Sequence, residues 1–415
     1  MAPPISPHFL LLLLIVLCSS TVLVQSVVPK DKTFNFINQG KFDDGTAEDN
    51  WYANGYRYVG LSSYPFRLYF YTIGLRRANK LVLGISGGDP SGQFMAWVWM
   101  ANRNDPVGEN STLTFGSDGN LVLANFDGRI VWQTNTADKG VTGISMQPSG
   151  NLVLHDRKGR FVWQSFDYPS DGILAGQSLK HSRTKRLVSR ANFWESRDGE
   201  ESIVIGKKGF IMYLNKSGNP LYGYAGWEAD GLHSVTFDSV QQDEPAIVTY
   251  FVTLGFANIK QAANTTSPPS QPPPVVDQAT RYKRRLPGPP PAPETPTPEF
   301  KVALPQIRPL QRRIILARVY FGDTRFMGVK ADLKYSFLRL DPDGNLRIYT
   351  LFAYPNNHTW WTETYAFFLD TVEECLFPSK CCSFGLSKCS ALSLRWCSNC
   401  NGCPPAMQSG CMIKT

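Results

Sequence analysis

Two short stretches of this 415-residue chain carry side chains suited to holding a sugar. One contains Gly116, Asp118, Asn120, Val122 and Ala124. The other contains Gln147, Ser149, Asn151, Val153 and His155. Alternate residues of an extended strand share a face. Each set therefore turns one way, while Leu121 and Leu123, or Leu152 and Leu154, turn the other way towards a core. Vicinal sugar hydroxyls both donate and accept hydrogen bonds. A carboxylate and side-chain amides match them, and a small aliphatic group covers a C–H face. Such a site needs no metal and no cofactor, and none is expected. The residues singled out are Asp118, Asn120 and Val122, then Gln147, Asn151 and Val153. The same residues also have a plainer role, because Asp118-Gly119-Asn120 and Ser149-Gly150-Asn151 suit turns that lead into strands.

Other chemistry fits poorly. Gly84-Ile85-Ser86-Gly87-Gly88 has the spacing of a serine nucleophile elbow, which needs a strand before it and a helix after it. Asp89-Pro90-Ser91-Gly92 follows instead, and no matched acid and histidine can be named. Cys397, Cys400 and Cys403 have metal-like spacing, but in an exported chain that spacing reads as disulfides. No paired carboxylates suggest glycoside hydrolysis. The chain reads as a binding protein and not an enzyme.

The candidate residues must be held by strands. Runs of Val, Ile, Leu, Phe, Tyr and Trp are bounded by Gly, Asp and Asn, and amphipathic helices are scarce. A repeat organises the first part. Asn79-Lys80-Leu81-Val82-Leu83 precedes Val98-Trp99. Asn120-Leu121-Val122-Leu123 precedes Val131-Trp132, and Asn151-Leu152-Val153-Leu154 precedes Val162-Trp163. No single unit can bury its apolar face, whereas three around an axis can bury three indoles. This reading gives an all-β chain whose first domain, 27–176, is a β-prism with pseudo-threefold symmetry. Copy one is aligned so that Leu75, Arg77, Asn79, Leu81 and Leu83 fill the outward row.

Beyond it, 177–261 and 310–365 read as two parts of a second β domain. They flank 262–309, which holds 14 prolines and the basic Lys283-Arg284-Arg285. Proline lacks the donor a sheet needs, so this stretch is expected to be an extended linker. The net charge is +8, but 281–313 alone holds eight Lys or Arg against two Glu, so nucleic acid is not the expected partner. The apolar run Phe9 to Leu17 is too short to span a bilayer and suits a signal peptide over 1–26, with no membrane anchor expected. Cys18 would leave with it. Cys375, Cys381, Cys382, Cys389, Cys397, Cys400, Cys403 and Cys411 crowd the tail, 366–415, as a disulfide-rich module whose pairing stays open. Asn110, Asn215, Asn264 and Asn357 are N-glycosylation sequons.

The outward rows resemble the plant bulb-type, mannose-binding lectins, whose strand motif is Gln-x-Asp-x-Asn-x-Val-x-Tyr. Copy two keeps Asp118, Asn120 and Val122. Copy three keeps Gln147, Asn151 and Val153, and copy one keeps only Asn79. A fourth partial match, Asp341, Asp343, Asn345 and Tyr349, has Arg347 at the Val position. Val98-Trp99-Met100-Ala101-Asn102-Arg103-Asn104-Asp105-Pro106 and Trp163-Gln164-Ser165-Phe166-Asp167-Tyr168-Pro169 look like stretches of S-locus glycoprotein ectodomains. The tail from Glu374 to Gly385 resembles that of plant epidermis-specific secreted glycoproteins, which join a lectin domain to such a tail and lack a kinase. The resemblance implies a secreted glycoprotein of the plant cell wall or apoplast that binds mannose-type glycans, or wall polysaccharide or glycoprotein. The alternative is a structural or protein-interaction glycoprotein with decayed sugar sites.

Overall fold

The computed structural model describes residues 27–45, 54–73, 80–88, 95–181, 186–192, 195–206, 209–216, 219–228, 231–241, 247–256, 315–325, 335–353 and 359–367. The leader, the proline-rich stretch, Asn79, Asn264, Asn357 and all nine cysteines lie outside them. Among the described residues the regular elements are strands, 24 in number (β1–β24 in chain order), with two single 3-10 turns. All pair antiparallel, in six sheets. The expected all-β class is what the chain adopts.

Three sheets hold the repeat. The first is a meander of β2 (Asp43–Gly45), β3 (Asn54–Ser63), β4 (Phe66–Thr72), β5 (Leu81–Gly87) and β6 (Ala96–Met100). The second orders β1 (Phe34–Ile37), β7 (Thr112–Phe115), β8 (Leu121–Ala124) and β9 (Ile130–Gln133). The third contains β10 (Gly143–Met146), β11 (Leu152–His155) and β12 (Phe161–Gln164). Period-two alternation sends Leu121, Leu123, Leu152 and Leu154 into one core with Phe66, Leu83 and Ile85. Trp99, Trp132 and Trp163, one per sheet, meet there edge to face, with centroids 5.8, 5.7 and 6.2 Å apart.

The turns entering β8 and β11 require glycine on two counts. Gly119 and Gly150 have φ of 81° and 84°. A Cβ on either would come within 2.7 Å of Val141 or Leu174.

Three further sheets follow. β13 (Gly172–Leu174) pairs with β22 (Ser336–Leu340), then β23 (Leu346–Ala353) and β24 (Thr359–Ala366). β14 (Ser178–Lys180) pairs with β19 (Leu232–Gln241), then β20 (Ile247–Phe256) and β21 (Ile315–Arg325). β15 (Arg186–Arg190), β16 (Asp198–Gly206), β17 (Gly209–Lys216) and β18 (Asn219–Glu228) form a meander. Their apolar faces make a second core around Phe210, Phe237 and Leu338. The two regions are joined. Phe337 and Trp361 lie in the repeat core, and the Trp361 indole donates to the Gly87 carbonyl at 2.9 Å. Arg103 donates to Val188 and Ser189 carbonyls and pairs with Asp198.

Candidate functional site

The second copy keeps the most open of the candidate faces. Cross-strand register places Asn35, Thr114, Val122 and Gln133 side by side on the outer face of the β1–β7–β8–β9 sheet. Val122 is half-buried, and Asp118, at the rim, is exposed. Asp118 is not on the strand. It sits in the β7–β8 turn and accepts the Asn120 backbone N–H at 3.0 Å. The strand itself is only four residues long, so the first half of the motif turns where the alternation pattern extends it.

Asn120 does something else. Its side chain is buried; Oδ1 accepts the Thr134 hydroxyl and the Thr136 backbone N–H, both at 3.0 Å. Its amide donates to Gln133 Oε1 at 2.8 Å. Asn120 thus fastens the entry of β8 to the exit of β9. Asn151 repeats this in the third copy, donating to Gln164 Oε1 at 2.9 Å and accepting from Ser165 Oγ and the Phe166 N–H at 3.2 Å. Both carbonyl oxygens are committed inside the protein, and each amide donates one proton to the neighbouring glutamine.

The third copy is also more closed. Val153 lies between Ser145 and Gln164 on the outer face, yet its exposure is 0%. Gln147 donates to Ser145 Oγ at 3.0 Å. The His155 ring covers Gly143, where a Cβ would lie 2.7 Å from it.

Copy one falls in a different register from the one its sequence suggests. Ile85 faces Trp99 as Leu123 faces Trp132 and Leu154 faces Trp163. The backbone N–H of Leu83 donates to Asn102 Oδ1, as Leu121 and Leu152 donate to Thr134 and Ser165 hydroxyls. Leu83 therefore occupies the place of Leu121, and Val82 that of Asn120. Leu81 and Leu83 face the core and not outwards. The outer face here is an aromatic cluster, with Tyr71 stacked on Trp97 at 3.6 Å and Tyr69 edge-on to Tyr56.

The fourth match is an internal ion cluster. Asp341 is fully buried and accepts from Arg339 Nε at 2.6 Å, Arg347 at 2.8 Å and the Tyr349 hydroxyl at 2.6 Å. Arg347 also grips Asp343 through both terminal nitrogens, at 2.8 and 2.6 Å. Burial alone would raise the Asp341 pKa, but the two guanidiniums and the hydroxyl outweigh it and hold the carboxyl below its usual range. These groups satisfy one another, and Asp341 at their centre is closed to a sugar.

Of the described sequons, Asn110 is exposed, whereas the Asn215 side chain is buried and accepts from Ser202 Oγ at 2.8 Å. Among the described residues no group of three metal-binding side chains converges, and no helix is long and apolar enough to cross a membrane.

Residues 96–195, from β6 to just beyond β15, match the family model described as D-mannose binding lectin. The chain is 37% identical over 412 residues to EP1-like glycoprotein 2 of Arabidopsis thaliana, covering 96% of this chain and 77% of that protein. It is 33% identical over 413 residues to the epidermis-specific secreted glycoprotein EP1 of Daucus carota, covering 91% and 85%. A G-type lectin S-receptor-like serine/threonine-protein kinase of Arabidopsis thaliana, SD1-1, is 36% identical over 141 residues, 31% of this chain and 17% of the kinase. The repeat, its indole core and similarity at this level over nine tenths of the chain place it in the family of EP1-like glycoproteins, built on a bulb-type lectin domain.

Proposed function

We propose that this chain is a secreted glycoprotein of the plant cell wall or apoplast. It binds mannose-type glycans through the outer face of β7, β8 and β9. The observation that carries this reading is the row Asn35, Thr114, Val122 and Gln133, with the exposed Asp118 carboxylate at its rim. Asp118 accepts sugar hydroxyls, Val122 lies under a C–H face, and Thr114 and Gln133 supply further polar contacts. The indole triad supports a pseudo-threefold β-prism over 27–176. The pairing of β20 with β21 across the proline-rich stretch supports a second β domain split by it. The cysteine-rich tail completes the architecture.

One observation favours a second reading, a wall protein that binds other proteins: the third face is closed, and both motif asparagines are spent internally. A glycan array separates the two. On the first reading the secreted protein binds mannose-terminated glycans. Asp118→Ala then weakens binding about tenfold or more, the worth of a charge-assisted hydrogen bond, and lowers stability by no more than the about 1 kcal/mol of its bond to the Asn120 N–H. No binding at millimolar glycan removes the first reading and leaves the second.

A further inference from the structure

The outer face of the second sheet ends in a row that is apolar and open. Ile37, Thr112, Ala124 and Ile130 stand side by side in register. Ile37 and Ile130 are 45% and 54% exposed, and Phe126, in the β8–β9 turn, is 69% exposed. Large apolar side chains gathered at one edge of a sheet mark a surface that something covers.

The chain carries a cover of its own. Asn110-Ser111-Thr112 is a sequon, and Asn110 lies two residues before Thr112, in the turn that leads into β7. Asn110 is exposed, with φ of 62°, a left-handed conformation that Asn adopts more readily than most residues. Its root is fixed. The Asn110 N–H donates to the Asn38 carbonyl at 2.9 Å. The Asn38 side chain donates to Ser111 Oγ at 3.1 Å and accepts from Arg57 at 2.7 Å. Arg57 pairs with Glu109 at 3.0 Å while lying 3.6 Å over the Phe42 ring. The same loop abuts the exposed phenyl: a Cβ on Gly108 would sit 3.8 Å from Phe126 Cδ1. A sugar chain starting from so rigid a root is held close to what is next to it, which lowers the entropy cost of lying down there.

We propose that an N-linked glycan on Asn110 folds back over Ile37, Ile130 and Phe126 and roofs this end of the sheet. Its inner sugars lay C–H faces on the two isoleucines and the phenyl ring and hydrogen-bond the Thr112 hydroxyl. The Val122 row begins two residues further along the strands, so the glycan borders the candidate sugar face and narrows its approach. The proposal rests on the secretion proposed above and not on sugar binding by the Val122 row.

Hydroxyl-radical footprinting of the secreted glycoprotein tests it. The comparison is with the same protein stripped natively by a peptide amidase, which turns glycosylated Asn110 into Asp, and with Asn110→Asp. Asp also tolerates the left-handed backbone, so this variant keeps the fold. Labelling of Ile37, Phe126 and Ile130 should rise at least threefold in both. Phe161, which opens β12 as Ile130 opens β9 and is 51% exposed, should not change. Equal labelling with and without the glycan overturns the proposal. A bare Asn110 beside an occupied sequon overturns it while secretion stands. If no sequon is occupied, the proposal falls, and recovery of the protein from the culture medium decides secretion separately.

Discussion

Replacing Asn120 with alanine separates a structural role from a binding role. The substitution removes three side-chain hydrogen bonds, to Gln133 at 2.8 Å and from Thr134 and Thr136 at 3.0 Å each. It strands the Thr136 N–H in a buried position. At about 1 kcal/mol per bond the loss is about 3 kcal/mol. For a domain of this size that lowers the melting midpoint by roughly 6–12 °C. Asn120→Asp keeps the accepting oxygen but buries a charge facing Gln133 Oε1, so its cost is at least the about 1 kcal/mol of the lost donation. Urea and thermal unfolding of the secreted protein read both. If Asn120→Ala unfolds within about 0.5 kcal/mol of the parent, the clamp is not structural and the reasoning fails. If the variant instead loses about 3 kcal/mol, loss of glycan binding is no evidence that Asn120 touches a sugar, which is why Asp118 is the better probe.

Two more outcomes follow from buried charge. Burial raises Glu201 from 4.5 to about 7 against the pull of the Ser189 hydroxyl, so its stabilising contribution is complete below about pH 4.5 and is lost as pH rises to about 7. Stability should fall by up to roughly 3 kcal/mol across that window, and Glu201→Gln should flatten the profile in urea titrations at stepped pH. Asp341→Asn leaves Arg339 and Arg347 without their shared carboxylate and should cost about 3 kcal/mol or more in the same assay, with a parent-like value refuting the cluster as a structural element.

Much of the scaffold is legible in the sequence because strand alternation and turn glycines are local. Leu121-Val122-Leu123-Ala124 reads buried, half-buried, buried, half-buried, the period of a strand. The indoles recur at near-equal spacing because each sheet sends one to the shared core. What the sequence hides is set by neighbours across strands. Asn120 and Asn151 look like sugar ligands until Gln133 and Gln164 are seen beside them. A signal was present: Val-Trp-Gln followed by a hydroxyl residue recurs at 131–134 and 162–165. Val153 and Val122 are identical in local context, and only packing closes one face and leaves the other half-open. Copy one misleads because Leu81-Val82-Leu83-Gly84-Ile85 offers two apolar registers, and only the pairing of Ile85 with Trp99 chooses between them. Asp341, Asp343 and Asn345 mimic the motif by alternation, but they belong to the turn between β22 and β23.

The ladder between β20 and β21 bears on how freely the proline-rich stretch can change. The two strands pair at ten positions, from Ile247 with Arg325 to Phe256 with Ile315. The 58 intervening residues leave and rejoin the sheet at one hairpin end. Doubling such a connection costs only about 0.6 kcal/mol of closure entropy. Evolution can therefore lengthen, trim or rewrite it without disturbing the register on either side. A proteolytic nick there would sever the polypeptide while leaving both halves laced together as a two-chain molecule.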